Sequence, residues 1–457
     1  MPSDLRSVDA GMDKNMFVHR YVTGMPLAWK IVIGVGGVLL MLQVFAARKP
    51  LQGVNDFSTP VDVPINALFD TNLGWQYDWT RDHANYGLSS KQCDSAFPDL
   101  YFEIDRAAAV WKDKQMTPSS IEFPTIEDQG YKVMGATCRL VRGQLFIVRT
   151  RGWRDGGDTR RRLVGTLNQV HRALVGALGV GEIFDDFEFT VVLDDKPSWP
   201  IDSADRAFWV FTKPARAGLQ TDSTWVVPDF NFWAMPPVSG PYVETQAVAR
   251  KHDRPLESKI QKAVWRGVLW THRGLREPLM EITKDETWSD VQEMSWNSED
   301  KDAVKLKMSA EEFCDYAFPI HTEGGSYSSR LTYLLNCDSA PIIHDLEWTA
   351  HYYHLLEPDV NHIHVHRNWT NLPGKMEYYL AHTDQAQRIA DTSRKTFRER
   401  YTSPAAEACY WRRAMRAYSE VAYKVSELEA PAEAISWEDF LTADNTHDFP
   451  WSEDSSS

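Results

Sequence analysis

The chain has 457 residues, with 49 Lys and Arg against 64 Asp and Glu for a formal net charge of −15; 43% of it is hydrophobic and 25% charged. That length suits two or three domains, and the ordinary balance excludes a wholly disordered chain, a collagen-like polymer or a polytopic membrane protein. The acidic excess argues against non-specific nucleic-acid binding, which needs a basic surface to displace counterions from phosphates.

Residues 31 to 46, IVIGVGGVLLMLQVFA, are the one run apolar enough to enter a bilayer. Sixteen residues fall short of the roughly 20 that span the hydrocarbon, but extension back to Met25, with Trp29 at the interface and Lys30 snorkelling, reaches about 22. A cleaved signal peptide fits less well, because about 30 residues precede the run and no small-residue cleavage site follows it. The expected layout is a cytosolic tail (1–29), a transmembrane signal anchor (30–47), a Pro-containing stem (48–88) and a lumenal body, since long globular segments translocate largely regardless of charge. After Lys424 come nine acidic residues and no basic one, so 427–457 reads as an acidic disordered tail.

In the body, Asp158 or Thr159 can cap a helix whose apolar positions Leu163, Leu167, Val170, Leu174, Val175 and Leu178 recur at helical spacing, stopped by Gly179 to Gly181. Phe187 to Leu193 then reads as a buried strand ending at Asp194 and Asp195. Helix, strand and an acidic pair at the strand's carboxyl end are α/β grammar, in which sites collect beyond strand ends. Further on, 313–320 resembles a strand, Tyr327 to Leu335 the start of a helix, Pro341 to His344 a strand, Trp348 to Leu356 a helix and His362 to His366 a strand. From about Gly374 to Lys424 the pattern is helical, broken near Pro404. Two α/β lobes, joined between about 235 and 260, are the expected body.

Several constellations could carry chemistry. EGGSYSSR (323–330) is a glycine-rich turn whose amides, with Arg330, could hold phosphate, although Gly-Gly before a helix is also an ordinary turn. Arg266, Arg273 and Arg276 could neutralise a pyrophosphate or simply decorate a solvated helix. Asp194 and Asp195 admit a metal-binding pair, one general base beside a turn former, or two solvated turn residues. His362, His364 and His366 share a strand face about 7 Å apart along the strand, too far apart to ligate one zinc without distortion. The basic run 149–162 could meet an acidic partner, with a solvated loop and helix start the plainer reading. GxSxG, HExxH, CxxC and Walker loops do not occur. Eighteen Trp and 17 Tyr fit packed cores or sugar-stacking sites equally well.

The motifs WRG (265–267), REPL (276–279), EGGSYSSRLTYLLNCDS (323–339), LLEPDVNHIHV (355–365) and ACYW (408–411), preceded by VVLDDKPSW (191–199), WVFTK (209–213) and VVPDFNFW (226–233), together resemble glycosyltransferase family 90. That family holds fungal capsule-associated xylosyltransferase-like proteins and animal protein O-glucosyltransferases. The resemblance, over about residues 90 to 425, implies an α/β, GT-B-like fold of two Rossmann-like lobes with a cleft between them: an N-terminal lobe on the acceptor side (89–245), a C-terminal lobe on the UDP-sugar side (246–400) and a closing helix (401–426). It implies an inverting enzyme that uses a UDP-sugar and no metal or other cofactor; joined to the anchor read from residues 31 to 46, the expectation is a membrane-anchored Golgi or ER transferase that moves xylose or glucose from UDP to a glycan or glycoprotein.

By the same resemblance Asp195 is the catalytic base; Arg266, Arg276, Gly325, Ser326, Ser328 and Arg330 hold the UDP-sugar; and Phe232 and Trp233 stand on the acceptor side. Arg273 departs from the animal pattern by about one residue and is the weaker assignment. Cys314–Cys337 and Cys93–Cys409 would be disulfides, leaving Cys138 free, and Asn368-Trp369-Thr370 is a glycosylation sequon. Two other readings stay open: a metal-dependent GT-A transferase using Asp194 and Asp195, and a lumenal glycan-binding protein without turnover. By charge, residues 1–49 carry +3 and the tail −9, leaving −9 on the body.

Overall fold

The computed structural model describes residues 74–123, 133–152, 157–195, 206–216, 222–235, 239–295, 306–425 and 434–442. The anchor segment 30–47 lies outside them; among the described residues no helix is long and apolar enough to cross a membrane.

Two sheets organise the body. The first holds β1 (Gly135–Val141), β2 (Gln144–Arg151), β3 (Phe187–Val192), β4 (Trp209–Val210), β5 (Trp225–Val226) and, at its edge, β11 (Ile435–Ser436), in the order β11-β2-β1-β3-β4-β5. Only β3, β4 and β5 run parallel; the β11, β2, β1 and β3 neighbours are antiparallel. The second holds β6 (Ile260–Gly267), β7 (Ser289–Glu293), β8 (Tyr316–His321), β9 (Ile342–His344) and β10 (Ile363–Val365) in the order β7-β6-β8-β9-β10, all parallel. Numbered within the sheet this is 2-1-3-4-5, a doubly wound order whose switch point lies between β6 and β8, where ligands collect beyond the strands' carboxyl ends. The first sheet is therefore mixed, and its Rossmann-like character is confined to its parallel half.

Helix α3 (Gly157–Gly179) forms where the periodicity places it, with Leu163, Leu167, Val170 and Leu174 buried. Its start at Gly157 puts Asp158 and Thr159 inside the helix, and Val175 and Leu178 face solvent at 56% and 52% exposure. At Gly165 the helix meets Phe230 closely enough that a Cβ would stand 2.9 Å from the Phe230 Cβ. Against it lies α9 (Pro404–Val421), capped by Ser403 with Pro404 in its first turn, where a missing N–H costs nothing. Trp411 of α9 donates its indole N–H to Gln169 at 3.2 Å, and Trp209 stacks on Phe189 at 4.0 Å between centroids. Seven fully buried Trp, at 111, 209, 225, 265, 369, 411 and 437, show that much of the tryptophan serves packing.

Helices α1 (Ser90–Ala96) and α2 (Phe102–Lys112) precede the first sheet; α4 (Tyr242–Ala249) and α5 (Arg273–Ile282) flank the entry to the second. After the site come α6 (Arg330–Leu334), α7 (Leu372–Ala381) and α8 (Thr383–Thr396). Both disulfides form: Cys93–Cys409 ties α1 to α9, and Cys314–Cys337 ties the turn before β8 to the segment after α6; Cys138 is free and buried.

Three expectations change. The helix over Trp348–Leu356 is instead a two-residue strand, Trp348–Thr349, and a 3-10 turn, Tyr353–Leu355. The buried Glu323 carboxylate takes the N–H groups of Glu347 and Trp348, and Thr349 pairs with Lys213, so the chain is held extended. The acidic tail is not wholly without structure, because β11 pairs with β2 and the helix Trp437–Thr442 buries Trp437 and Phe440. The end of the expected stem packs on the body: Tyr77 meets Phe97, donates to the Glu399 carbonyl at 3.1 Å, and Leu88 is buried.

Candidate active site

The carboxyl end of β6, the segment leading into β8, the loop that follows β8 and Asp195 beyond β3 border a cleft of about 500 Å³ lined by Asp195, Arg162, Arg266, Lys307, Ser328 and Arg330, with Phe230, Phe313 and Tyr327 among its aromatic walls. Of the two aspartates after β3, Asp194 is buried and its Oδ2 accepts the Met134 N–H at 3.0 Å. Asp195 is half exposed, and Arg162 grips its carboxylate at 2.7 and 3.2 Å. The two carboxylates are thus anchored to different partners.

The three arginines on which a diphosphate could rest differ in their charge balance. Arg266, next to last in β6, is buried and donates to Asp290 Oδ1 at 2.8 Å, so a carboxylate already meets its charge. Arg276 of α5 is buried and donates only to neutral oxygens: the Glu323 carbonyl at 3.1 Å, the Val268 carbonyl at 2.6 Å and the Thr271 hydroxyl. Arg330 donates to the Arg266 carbonyl and lies over the Phe313 ring. Among the described residues no carboxylate acts on Arg276 or Arg330. Burial pushes each guanidinium down to about 10, and for Arg276 the neighbouring Arg330 adds like-charge repulsion. Arg273 is exposed and paired with Glu277 at 2.7 Å.

The glycine loop closes over Arg276. A Cβ on Gly324 would stand 3.4 Å from an Arg276 terminal nitrogen, while Gly325 faces open space. Ser328 is on the cleft, but Ser326 is buried and its hydroxyl donates to the Asp195 carbonyl. Tyr327 donates to Asp229 at 3.0 Å and Tyr333 to Asn231 at 3.1 Å, so with the Ser326 bond three links join this loop and α6 to Asp195 and to the segment 229–231. Helix α6 is five residues long, shorter than the run Tyr327–Leu335, so the guanidinium of Arg330 rather than a long helix end supplies positive character here.

Phe232 is buried among Tyr242, His351 and Tyr352, which leaves its ring covered, whereas Trp233 is partly open with the Arg172 guanidinium 4.9 Å from its centroid. The histidines in and beside β10 do not converge on one site: His362, just before it, is buried, His364 within it bonds Asp345 at 2.8 Å, and His366, just after it, is exposed. Among the described residues no three His, Cys, Asp or Glu stand where they could hold a metal ion. Asn368 and Thr370 are both exposed.

Sequence reasoning did not reach Arg162, Asp229 or Tyr327. Arg162 lay within the basic run 149–162, and its one local signal is that it shares a helical stripe with Thr159, Thr166 and Gln169, all buried, which turns it toward the body.

The model of Glycosyl transferase family 90 matches residues 98–448. Protein O-glucosyltransferase 2 of Danio rerio is 25% identical over 180 residues, covering 37% of this chain and 35% of that protein. Protein O-glucosyltransferase 1 of Homo sapiens is 25% identical over 147 residues (32% and 36%), and protein O-glucosyltransferase 3 of Rattus norvegicus 25% over 126 residues (27% and 25%). The chain spans about a third of the length of the first of these curated relatives.

Proposed function

Because the chain belongs to glycosyl transferase family 90, we propose that it is an inverting, metal-independent glycosyltransferase that moves glucose or xylose from a UDP-sugar to a hydroxyl of a glycan or glycoprotein. The observation that carries this reading is the pair Arg276 and Arg330, which have no carboxylate partner among the described residues: Arg330 lines the cleft, and buried Arg276 lies between the segments that follow β6 and β8, bonded to the Val268 and Glu323 carbonyls. A buried charge without a counter-ion, as at Arg276, is costly, and a diphosphate set against both guanidiniums would offset that cost. The relatives, protein O-glucosyltransferases, favour glucose and a protein hydroxyl; xylose is the other donor that the family resemblance suggests.

In the proposed step the acceptor oxygen attacks C1 of the sugar while its proton passes to Asp195. The C1–O bond to UDP breaks on the opposite face, and the electron pair leaves with the diphosphate, where Arg276 and Arg330 stabilise the developing charge. Arg266, satisfied by Asp290, shapes the cleft wall and anchors Arg330 through its carbonyl. Metal independence is supported by the separate anchoring of Asp194 and Asp195. A GT-B arrangement, with the acceptor on the β3 side and donor on the β6–β8 side, and a lumenal body behind an anchor at 30–47 in the Golgi or ER complete the reading.

The test is UDP release by the full chain over a panel of UDP-sugars, with and without EDTA. Release from UDP-glucose or UDP-xylose that survives EDTA and collapses in Asp195→Asn is the expected result. Loss of activity in EDTA would return the reaction to a metal-dependent transferase. Glycan binding without release from any donor would make the chain a binding protein.

A further inference from the structure

We propose that Arg162 is a positioning residue that orients the Asp195 carboxylate for proton abstraction, an inference that rests on the reading of Asp195 as the base. Arg162 stands in the second turn of α3, its side chain 13% exposed against 53% for its partner. Nη1 donates to Asp195 Oδ1 at 2.7 Å and to the Leu193 carbonyl at 3.0 Å, and Nη2 donates to Oδ2 at 3.2 Å. The Leu193 contact ties the guanidinium to the same backbone that leads into Asp195, so its fork is aligned before the carboxylate arrives. The Phe230 ring lies 4.9 Å from the guanidinium carbon and restricts it in the remaining direction, and Gly165, one turn on, is what lets α3 come that close. On the other side the buried Ser326 hydroxyl holds the Asp195 carbonyl.

Stability does not account for this arrangement, because an ion pair with one partner half exposed is screened by solvent and contributes little. Orientation does. A carboxylate offers about four lone-pair sites, and two are occupied by the fork, which leaves the others to receive a proton along a fixed direction. As the acceptor O–H bond breaks, that oxygen bonds to C1, the proton joins an Asp195 oxygen and UDP departs with the bonding pair. Arg162 keeps its protons throughout and acts through Asp195 alone.

The experiment compares Arg162→Ala, Arg162→Lys, Asp195→Asn and the Arg162→Ala/Asp195→Asn double variant in the full chain, measuring kcat, the donor's apparent constant and thermal midpoint. Arg162→Ala should lose on the order of 10²-fold in kcat, the scale of a small misplacement of a reacting group, with the donor constant unchanged. Added guanidinium ion at millimolar concentration should recover part of that loss, which a merely structural defect would not show. The double variant should be no slower than Asp195→Asn, since two residues acting as a unit are non-additive. Arg162→Lys keeps the charge without the planar fork, so it should fold and retain an intermediate kcat even if the alanine variant does not fold. Unchanged kcat in both Arg162 variants, a raised donor constant, or a further loss in the double variant would each overturn the proposal. Transfer that survives Asp195→Asn removes the base itself and with it both readings, whereas loss in Asp195→Asn with none in the Arg162 variants removes only this one.

Discussion

Tyr327 donates its phenolic hydrogen to Oδ2 of Asp229 across 3.0 Å, and both residues are closed off from solvent. The bond joins the glycine-loop segment to the segment after β5, so a charge change at Asp229 is felt where the donor would lie. Burial raises the Asp229 carboxyl to about 6, against the stabilising hydrogen bonds from Asn231 and Tyr327.

The sign of the resulting pH effect follows. A carboxyl raised in the folded state favours folding most below its unfolded value near 4, and that contribution is lost as pH rises to about 6, above which the buried charge is paid for in full. Asp229→Asn removes the charge, and because its single amide oxygen can accept from only one of Tyr327 and the Asn231 N–H, it loses one of those bonds equally at every pH. The stability of the variant relative to the natural chain should therefore be greater at pH 7 than at pH 4.5 by about 2 kcal/mol, with a correspondingly higher relative midpoint, because the titration has already begun at pH 4.5. Thermal melts of both proteins at the two pH values check it; a pH-independent difference would place the Asp229 carboxyl elsewhere.

Arg330→Ala and Arg276→Ala should each weaken donor binding. Removing a charged hydrogen bond to an ionised group costs about 1.5–3 kcal/mol, or roughly 10- to 100-fold in the apparent constant for UDP. Arg273→Ala, which breaks an exposed pair with Glu277, should leave that constant within about twofold. Titration calorimetry with UDP separates the three, and a large effect at Arg273 would move the site.

Reduction should destabilise the body. Opening the 23-residue span of Cys314–Cys337 releases about 3 kcal/mol of chain entropy into the unfolded state, and Cys93–Cys409, separated by 316 residues, closes a much longer loop. Melts with and without reductant, and of Cys314→Ser/Cys337→Ser, should show lowered midpoints. Burial pushes the Cys138 thiol up, so a maleimide should label the oxidised, folded chain at no cysteine and the unfolded chain at one.

Asn368 and Thr370 are both exposed, so a chain made with its body in a secretory lumen should carry a glycan at Asn368. Expression in eukaryotic cells should give a band that shifts with endoglycosidase and is missing in Asn368→Gln. An unshifted band would contradict the lumenal placement proposed above.

The sequence by itself determined the elements whose cause is local: α3 from its 3.6-residue periodicity and β3 from its run of aromatic and β-branched residues. Family motifs carried both disulfide pairings, which the fold closes. Only the tertiary structure decided what each charge meets. Arg266 and Arg276 are ten residues apart in equivalent-looking surroundings, yet β7 brings Asp290 to one and brings a carboxylate to the other nowhere among the described residues. Ser326 stands beside Ser328 in the glycine loop, and only the fold sets the Asp195 carbonyl, 131 positions away, against its hydroxyl. Trp348 to Leu356 lost its helix to a distant buried carboxylate, and the tail gained a strand because the edge of β2 was open to pair. Propensity and periodicity act over a few residues, whereas ion pairing, burial and strand addition depend on chain segments that become neighbours only when the sheets close.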